Sequence, residues 1–201
     1  MRNLIIIGGG GHAKVVADIA IQMGYNVLGF LDDNSDVCEL LGFKRLGNIA
    51  DCVKYGKEVA FVIAIGNNKI RKEIFSKYDL NYITLIHPTA IIGPEVSVGT
   101  GTVVMAGVII NACAKIGVQS VVNTACVVEH DVVIGDFTML APHSTVCGFT
   151  KIGNNCWVGA GATINNVIKF YDAVMLGSGS VVIKDIDESG TYVGVPARRI
   201  K

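Results

Sequence analysis

A single histidine stands between two carboxylates in the part of this chain that is poorest in charge. Residues 86–181 hold only eight Lys, Arg, Asp and Glu residues, and two of these, Glu129 and Asp131, flank His130. An imidazole titrates near neutral pH and can take a proton from an attacking group, and a neighbouring carboxylate favours its protonated form. These residues predict a general base at His130, with a surface histidine on a β-face as the alternative. Glu129 is expected to point to solvent at a corner of the fold.

The composition of the whole chain excludes several other kinds of function. The 201 residues include 17 Lys and Arg and 17 Asp and Glu, so the positive surplus that nucleic-acid binding requires is missing. The hydrophobic share of 51% argues against disorder, and no apolar run approaches the roughly 20 residues of a membrane span. The six cysteines form neither a C-x-x-C pair nor a metal-ligand spacing with histidine. This usage predicts free thiols, no bound metal and a reducing, cytoplasmic location.

Residues 1–85 carry a normal density of charge and alternate between strand and helix patterns. The apolar spacing predicts helices over His12–Met23 and Lys69–Lys77, and strands over Asn3–Ile7, Val27–Leu31, Val59–Ile65 and Tyr82–Ile86. This alternation indicates an α/β domain over residues 1–85 with a small Rossmann-like parallel sheet. Polar stretches follow two of the strands, at the edge where ligands of parallel sheets bind, although capping of turns and helices explains them as well: Asp32-Asp33 and Gly66-Asn67-Asn68.

A glycine loop between the first strand and the first helix could hold a phosphate. In the string Gly8-x-Gly10-x-x-Ala13 the backbone can approach a ligand, and a helix N-terminus adds free N–H groups and a positive dipole end. The string also fits the dinucleotide fingerprint, with Asp32 and Asp33 roughly 20 residues further on. Residues 1–85 supply only one mononucleotide-sized unit, so we favour a nucleotide diphosphate ligand. Glycines that only permit a tight turn are the alternative.

Residues 86–201 are dominated by a strict six-residue repeat. Every sixth residue from Ile86 to Val182 is large and apolar, and a small or β-branched residue stands four places after each. At ten of the positions directly after a large residue stands glycine or asparagine. We expect these residues to take left-handed backbone angles and turn the corners. Such a repeat predicts a parallel β-helix in which three hexapeptides make one triangular coil. Its flat, charge-poor faces predict that identical prisms pack side by side in a homotrimer.

Several motifs occur together with the repeat in one order. They are Gly8–His12 after a strand, Phe30–Asp33, Ile65–Asn68, Leu85–Pro88, Asn123–Asp131 and Gly194–Ala197. Together they resemble the bacterial sugar acetyltransferases of the NeuD/PglD type over essentially the whole chain. The Ile65–Asn68 stretch and its helix look most similar to the enzymes that N-acetylate UDP-linked 4-amino sugars. The resemblance implies that residues 86–201 form a left-handed parallel β-helix, the acyltransferase domain, with a C-terminal tail.

The resemblance also implies which residues meet the ligands. In the α/β domain, the phosphates of the nucleotide sugar would contact Gly10, Gly11 and His12. Its uridine would lie near Asp32, Asp33 and Gly66, and Asn123 would be a further substrate contact. The co-substrate acetyl-CoA would lie in a groove between neighbouring prisms, near Met139, Ala160 and Ser178. Met139 stands where the most similar members would have a histidine. Arg198 either meets the CoA phosphates or is a solvated charge of the tail.

The activity implied is transfer of acetyl from acetyl-CoA to the amino group of a UDP-linked 4-amino-4,6-dideoxy sugar, by direct attack without an acyl-enzyme. His130 would be the general base, and Asp131, at the position of the family's acidic partner, would polarise it. One coil of 18 residues away stand Ala112 and Gly148, which predicts a notch beside the base where two substrates could meet. The alternatives are O-acetylation of a sialic acid, a non-catalytic nucleotide-sugar sensor or structural β-helix, and a zinc carbonic anhydrase, which shares only the repeat and needs three converging histidines.

Overall fold

The computed structural model describes residues 2–201, which form an N-terminal α/β domain followed by a β-solenoid. The α/β domain contains the α-helices α1, Gly11–Gln22, and α2, Asn68–Lys77, and a 3-10 helix, Ile49–Lys54. Its strands are β1, Asn3–Ile7, β2, Asn26–Leu31, β3, Glu39–Leu40, β4, Phe43–Gly47, and β5, Ala60–Ile63. They form one sheet in the order β3-β4-β2-β1-β5. No helix within the described residues combines the length and the apolar character that crossing a membrane requires.

The central elements of this domain follow from their apolar patterns. Four of the five residues of β1 are buried, as in a parallel strand that is covered on both faces. The buried residues of α1 repeat at helical spacing from Ala13 to Ala20. The chain leaves α1 at Gly24, whose φ of +80° favours glycine. The predicted positions of β1, β2, β5 and both α-helices are therefore confirmed to within two residues at each end.

Two features of the sheet differ from the prediction. The sheet is mixed, because β3 and β4 form an antiparallel hairpin at its edge. The hairpin turn, Leu41-Gly42, has positive φ at both residues, and Leu41 lacks the usual Asn or Asp signal for this turn. The predicted fourth strand, Tyr82–Ile86, is wrong. Tyr82 makes only an isolated bridge to Phe61, whereas Leu85–Ile86 pairs with Val103–Val104 as the first strand of the solenoid.

The solenoid has three faces of short strands that are stacked in parallel at intervals of about 18 residues. The first face contains Leu85–Ile86, Val103–Val104, Val121–Val122, Met139–Leu140, Trp157–Val158, Val174–Leu176, Gly190–Val193 and, antiparallel at its end, Arg198–Arg199. The second contains Ile91–Ile92, Ile109–Ile110, Val127–Val128, Thr145–Val146, Thr163–Ile164 and Val181–Val182. The third contains Ser97–Val98, Lys115–Ile116, Val133–Ile134 and Lys151–Ile152. The predicted triangular β-helix is confirmed.

The large residues of the repeat fill the interior of the solenoid, as predicted. From Val104 to Val182 they all belong to one buried cluster, together with small residues such as Ala114, Cys126 and Ala162. Ile92 departs from the pattern because it lies in the first coil and is 37% exposed. Burial of apolar area along this axis is the main favourable term that holds the coils together.

The corners are not turned by the glycine and asparagine residues that were expected to turn them. Positive φ angles occur at every sixth residue of the repeat, two places after the positions that were expected to take them. Eleven of these corner residues are not glycine, with φ of 52–64°: Glu95, Cys113, Gln119, Ala125, Asp131, Phe137, His143, Phe149, Asn155, Val167 and Ala173. The prediction is therefore wrong about which residues take the left-handed conformation. The stacked coils hold the corner residues in it at a cost of roughly 1–2 kcal/mol each.

The glycines of the repeat are instead needed because successive coils approach closely. A Cβ atom at Gly135 would lie 2.6 Å from the carbonyl carbon of Gly153 in the next coil, and one at Gly99 would lie 2.6 Å from Gly117 in the same way. Real Cβ atoms do not come this close to backbone atoms, so any side chain here would push two coils apart.

The α/β domain packs on the first face of the solenoid. Residues of α1, among them Ala13 and Ala17, share one buried cluster with Val103, Val121 and Met139 of that face. The second and third faces have no such cover within the described chain. The prism therefore presents one face to its own α/β domain and leaves the other two open.

The close approach of coils makes Gly135→Ala a sharp test of the stacking. We expect this substitution to lower the free energy of unfolding by about 2–3 kcal/mol, since the new methyl group overpacks against backbone that cannot move alone. Gly107→Asn is the matched control, because its φ of +68° suits asparagine and its Cβ would meet nothing closer than 3.9 Å. It should cost less than about 1 kcal/mol. Chemical denaturation followed by circular dichroism measures both, and equal losses would contradict the stacking argument.

Candidate functional site

A cavity of about 440 Å³ opens at the carboxyl ends of β1, β2 and β5. This is the edge at which open parallel sheets bind ligands. The structure brings together here all six N-terminal residues that were predicted to contact substrate. The lining consists of these six, Gly10, Gly11, His12, Asp32, Asp33 and Gly66, and of Gly8, Ile49, Ala64, Ile65 and Ile70.

The N-terminus of α1 faces this cavity, and no side chain of the described residues caps the N–H groups of its first turn. Gly10 is the N-cap and makes no side-chain cap, and the first turn of α1 has no acidic residue. A Cβ atom at Gly10 or Gly11 would meet nothing within 4 Å, so no protein atom occupies the space in front of the helix. Free N–H groups, a positive dipole end and open space are what an anionic group requires.

The loops around the cavity fix the two carboxylates that follow β2. Asp32 Oδ2 accepts a hydrogen bond from the backbone N–H of Gly9 at 2.6 Å, and its Oδ1 accepts one from Asn34 at 2.8 Å. Asp33 Oδ1 accepts one from the backbone N–H of Ile49 at 2.9 Å. Both carboxylates are thereby held as acceptors at the edge of the cavity, where a hydroxyl or ring N–H could bind.

His12 lines the same cavity and is electrically neutral at physiological pH. Burial, and next the positive charge of Arg71, lower the pKa of His12 from 6.5 to about 4. Its Nε2 atom is buried and has no hydrogen-bond partner within residues 2–201. A buried polar atom of this kind costs free energy unless a ligand or water pairs with it.

The predicted base lies elsewhere, at the corner between the second and third faces of the solenoid. His130 Nδ1 lies 2.9 Å from Asp131 Oδ2, and both side chains are about half exposed, at 52% and 42%. Asp131 is one of the corner residues, with φ of +60°, a conformation that aspartate tolerates well. Glu129 Oε2 accepts a weak hydrogen bond from the backbone N–H of His130 at 3.3 Å. The carboxylate of Asp131 therefore orients the imidazole ring, whose Nε2 remains free.

The small residues beside His130 do not leave the empty notch that their spacing predicted. On one side the imidazole ring itself fills the space: a Cβ atom at Gly148 would lie 2.8 Å from His130 Cε1 and 2.9 Å from Nε2. The ring of Phe149 meets the imidazole edge to face, with centroids 5.1 Å apart. The His130 ring thus packs against Gly148 and Phe149. The sequence did not predict this contact, because only the size of the neighbouring side chains was considered.

A second cavity, of about 780 Å³, lies between α2 and the first face of the solenoid. Its floor contains Trp157, Val174 and Met175, and α2 supplies Lys69 and Lys72 to its wall. Of the residues that the sequence predicted at a ligand-binding edge, Asn67 and Asn68 line this second cavity, whereas the predicted nucleotide, acetyl-CoA and catalytic residues do not.

Comparison with known proteins agrees with this architecture. A model of the family "PglD N-terminal domain" matches residues 3–78. The UDP-N-acetylbacillosamine N-acetyltransferase of Bacillus subtilis (strain 168) is 36% identical over 115 residues, 53% of this chain and 52% of the relative. The GDP-perosamine N-acetyltransferase of Escherichia coli O157:H7 is 30% identical over 150 residues, 70% of this chain and 67% of the relative. The match thus spans about half the length of the first relative and two thirds of the second.

A solved structure matches along the entire fold. The acetyltransferase domain of PglB from Neisseria gonorrhoeae FA1090, in complex with acetyl coenzyme A, has a TM-score of 0.95 and 33% sequence identity, and 99% of each chain is covered. The chain belongs to the bacterial sugar acetyltransferases of the NeuD/PglD type. The family predicted from the order of the motifs is confirmed.

The acetyl-CoA contacts expected for a NeuD/PglD-type chain divide into exposed and buried residues. Ala160 and Ser178 stand one coil apart at the corner between the first and second faces, where both are exposed, and Arg198 is exposed at the end of the first face. Met139 is only 3% exposed and packs against the α/β domain. Burial in the cluster that the two domains share leaves the Met139 side chain little surface for the expected acetyl-CoA contact, which stays a prediction.

Asn123 also lies outside the N-terminal cavity of this NeuD/PglD-type protein. It stands at the corner between the first and second faces, and its Oδ1 accepts a hydrogen bond from the backbone N–H of Thr124 at 2.8 Å. The predicted site residues thus occupy the N-terminal cavity and two different corners of the prism. Their contacts with ligands stay predictions.

The neutral state of His12 predicts how stability depends on pH. Its folded pKa of about 4 lies below the unfolded value of 6.5, so the unfolded chain binds a proton that the folded chain does not. The contribution to stability is full above pH 6.5 and is lost as the pH falls towards 4, by about 3 kcal/mol in total. In His12→Gln, the difference in unfolding free energy between pH 7.5 and pH 4.5 should shrink accordingly. The control is His143→Gln, at an exposed histidine outside the cavity, which should retain the wild-type difference in unfolding free energy between the two pH values. Equal behaviour of the two variants would contradict the neutral state of His12.

Proposed function

We propose that this protein transfers an acetyl group from acetyl-CoA to the amino group of a nucleotide-linked amino sugar, with His130 as the general base. The observation that carries the proposal is the hydrogen-bonded pair of His130 and Asp131 on an exposed corner, in a chain whose N-terminal cavity suits a nucleotide diphosphate. The relatives named above are N-acetyltransferases of UDP- and GDP-linked amino sugars, and the similar PglB domain binds acetyl coenzyme A.

The chemistry needs one base and no covalent intermediate. The neutral amine of the sugar attacks the thioester carbonyl carbon of acetyl-CoA, so that a C–N bond forms and the C–S bond breaks. His130 Nε2 takes the proton from the nitrogen and can pass it to the departing CoA sulfur. Asp131, bonded to Nδ1, holds the ring in the required orientation and stabilises the imidazolium that forms in between.

The two ends of the N-terminal cavity suggest how a nucleotide sugar would bind. The N-terminus of α1, at Gly10, Gly11 and His12, suits the diphosphate, whereas Asp32 and Asp33 suit hydroxyl and N–H donors of the nucleoside. Such a ligand would leave its sugar outside the cavity. We infer a UDP-linked 4-amino-4,6-dideoxy sugar as the substrate, with O-acetylation of a sialic acid as the alternative.

The open second face supports assembly of a homotrimer. Its outward residues include Ile91, which is 62% exposed, and Ile109 and Val127, whereas the third face carries Lys115 and Lys151. Water is displaced more favourably from the apolar second face than from the lysine-bearing third. The second face is bordered by the His130 corner on one side and the corner with Ala160 and Ser178 on the other. Packing of prisms through this face would place the base of one copy beside the acetyl-CoA contacts of the next.

A substrate panel tests the proposed activity directly. Acetyl-CoA is offered with UDP-linked 4-amino sugars, a GDP-linked 4-amino sugar and sialic acid, and release of free CoA thiol is followed. Release with a UDP-linked amino sugar supports the proposal, and release with sialic acid alone would establish the alternative. Release with none of them would contradict an acetyltransferase function, and a monomer in sedimentation under native conditions would contradict the trimer.

Replacement of the proposed base gives the mechanistic test. His130→Ala should lower turnover by two or more orders of magnitude, because it removes the imidazole that takes the proton from the attacking amine. Asp131→Asn, which suits the left-handed backbone at this corner, should lower turnover less, by roughly tenfold to a hundredfold, since it removes only the orienting charge.

His143→Ala is the matched control for these two variants. His143 is also an exposed corner residue with positive φ, but it lies at the corner between the first and second faces. Because it shares this corner with Ala160, its loss can weaken acetyl-CoA binding, but turnover at saturating acetyl-CoA should fall less than about tenfold, far from the loss expected for a general base. Near-normal turnover of His130→Ala, with the assembly intact, would refute the assignment of the base.

A further inference from the structure

Arg71 of α2 is completely buried at the joint between the two domains. Its exposed fraction is 0%, and it is the largest fully buried side chain within the described residues. In the solenoid, its guanidinium donates hydrogen bonds to the carbonyl oxygens of Gln119, at 2.7 Å, and Phe137, at 3.2 Å. In the α/β domain, it donates to the carbonyl oxygens of Ile65, at 2.9 Å, and Gly66, at 3.3 Å. A fifth hydrogen bond, of 2.8 Å, goes to Asn68 Oδ1.

All of these acceptors are neutral. No Asp or Glu side chain within residues 2–201 forms an ion pair with Arg71. Burial lowers the pKa of Arg71 to about 10, which still leaves it protonated at physiological pH. A buried charge that is hydrogen-bonded but not neutralised is costly, and proteins usually pair such a charge with a carboxylate. The positive charge of Arg71 is therefore not cancelled by any neighbouring carboxylate of the described chain and remains able to attract a negative group nearby.

The positive charge of Arg71 acts at the N-terminal cavity. Arg71 does not line the cavity, but Ile65 and Gly66, whose carbonyl oxygens it holds, both do. Its charge also acts on His12, on the same lining, where it disfavours the protonated imidazole. The guanidinium thus lies directly behind the wall of a cavity that already presents the positive end of α1.

We infer that Arg71 is a positioning residue that determines the preference of this cavity for an anionic ligand. Its hydrogen bonds hold the Ile65–Gly66 wall against the solenoid, and its unneutralised charge favours a nucleoside diphosphate over the corresponding nucleoside. The inference rests on the proposed function, because it assigns the phosphate-bearing part of a nucleotide sugar to this cavity. It adds a residue that contacts no ligand and that no sequence motif pointed to.

Binding of charged and uncharged nucleotide probes separates this role from a structural one. Titration calorimetry measures the affinity of the full chain for UDP and uridine, and in parallel for GDP and guanosine. Arg71→Met, which keeps most of the volume without the charge, should weaken diphosphate binding tenfold or more and nucleoside binding less than threefold. Arg71→Lys should retain the preference for the diphosphate even if its overall affinity falls. Arg71→Gln, which keeps an N–H donor without the charge, serves as a second neutral variant.

The possible outcomes distinguish this inference from the proposed function. Equal losses of diphosphate and nucleoside binding in both neutral variants would show a purely structural role and overturn the inference, while the function would stand. Absence of binding of all four probes to the wild-type chain would overturn both. A ligand-free readout is the pKa of His12, followed by NMR: it should rise in Arg71→Met and Arg71→Gln but not in Arg71→Lys. An unchanged pKa in the neutral variants would also overturn the inference.

Discussion

The spacing between successive coils of the solenoid is the constraint on which the rest of the structure depends. Backbone N–H groups bond to carbonyl oxygens of the next coil at about one strand spacing, for example Gly117 to Ile134 at 2.8 Å. At this distance a Cβ atom at Gly99 or Gly135 would overlap the backbone of the next coil. Inside the corner, buried hydroxyls bridge the coils, with Thr102, Ser120 and Thr138 each donating to a carbonyl of the next coil at 2.7–2.9 Å. Each coil therefore has little freedom to shift relative to its neighbours.

The same spacing positions the proposed base. A side chain at a corner leaves the prism and meets only the equivalent corner of the next coil, so its neighbours lie 18 residues away in sequence. For His130 these neighbours are Gly148, which is small enough to let the imidazole ring rest on it, and Phe149, which meets the ring edge to face. Asp131 then fixes Nδ1 from the adjacent position. A half-exposed imidazole is thus held in one orientation by rigid backbone, without being buried.

The contact between the two domains determines which solenoid residues are buried and where the N-terminal cavity is attached to the prism. Where the α/β domain packs on the first face, Met139 is buried in the cluster that the two domains share. Because α2 is anchored through Arg71 to the corner at Gln119 and Phe137, the nucleotide cavity is attached to a different edge of the prism from His130. The N-terminal cavity and the proposed base of one chain therefore lie at different edges of the prism. This separation is consistent with a site that is shared between neighbouring copies in the proposed trimer.

The amino-acid sequence by itself determined the features that depend on local pattern and repetition. The six-residue period predicts the solenoid, the apolar runs predict β1, β2 and β5, and the order of the motifs predicts the family, because each of these signals is carried by residue type and short spacing. The isolated cluster at His130 also stands out without any structure. The hairpin at Leu41-Gly42 was missed because the turn residue that usually marks it is absent.

Tertiary structure alone decided the features that depend on what a backbone or a side chain meets. The conformation of a corner is imposed by the coils above and below, so valine, phenylalanine and glutamine take left-handed angles that their own preferences disfavour, while the glycines serve close approach instead. Burial of Met139 and of Arg71 follows from the contact between two domains, which no local pattern records. The sequence named six residues that line the N-terminal cavity, but only the fold revealed the charge of Arg71 behind its wall.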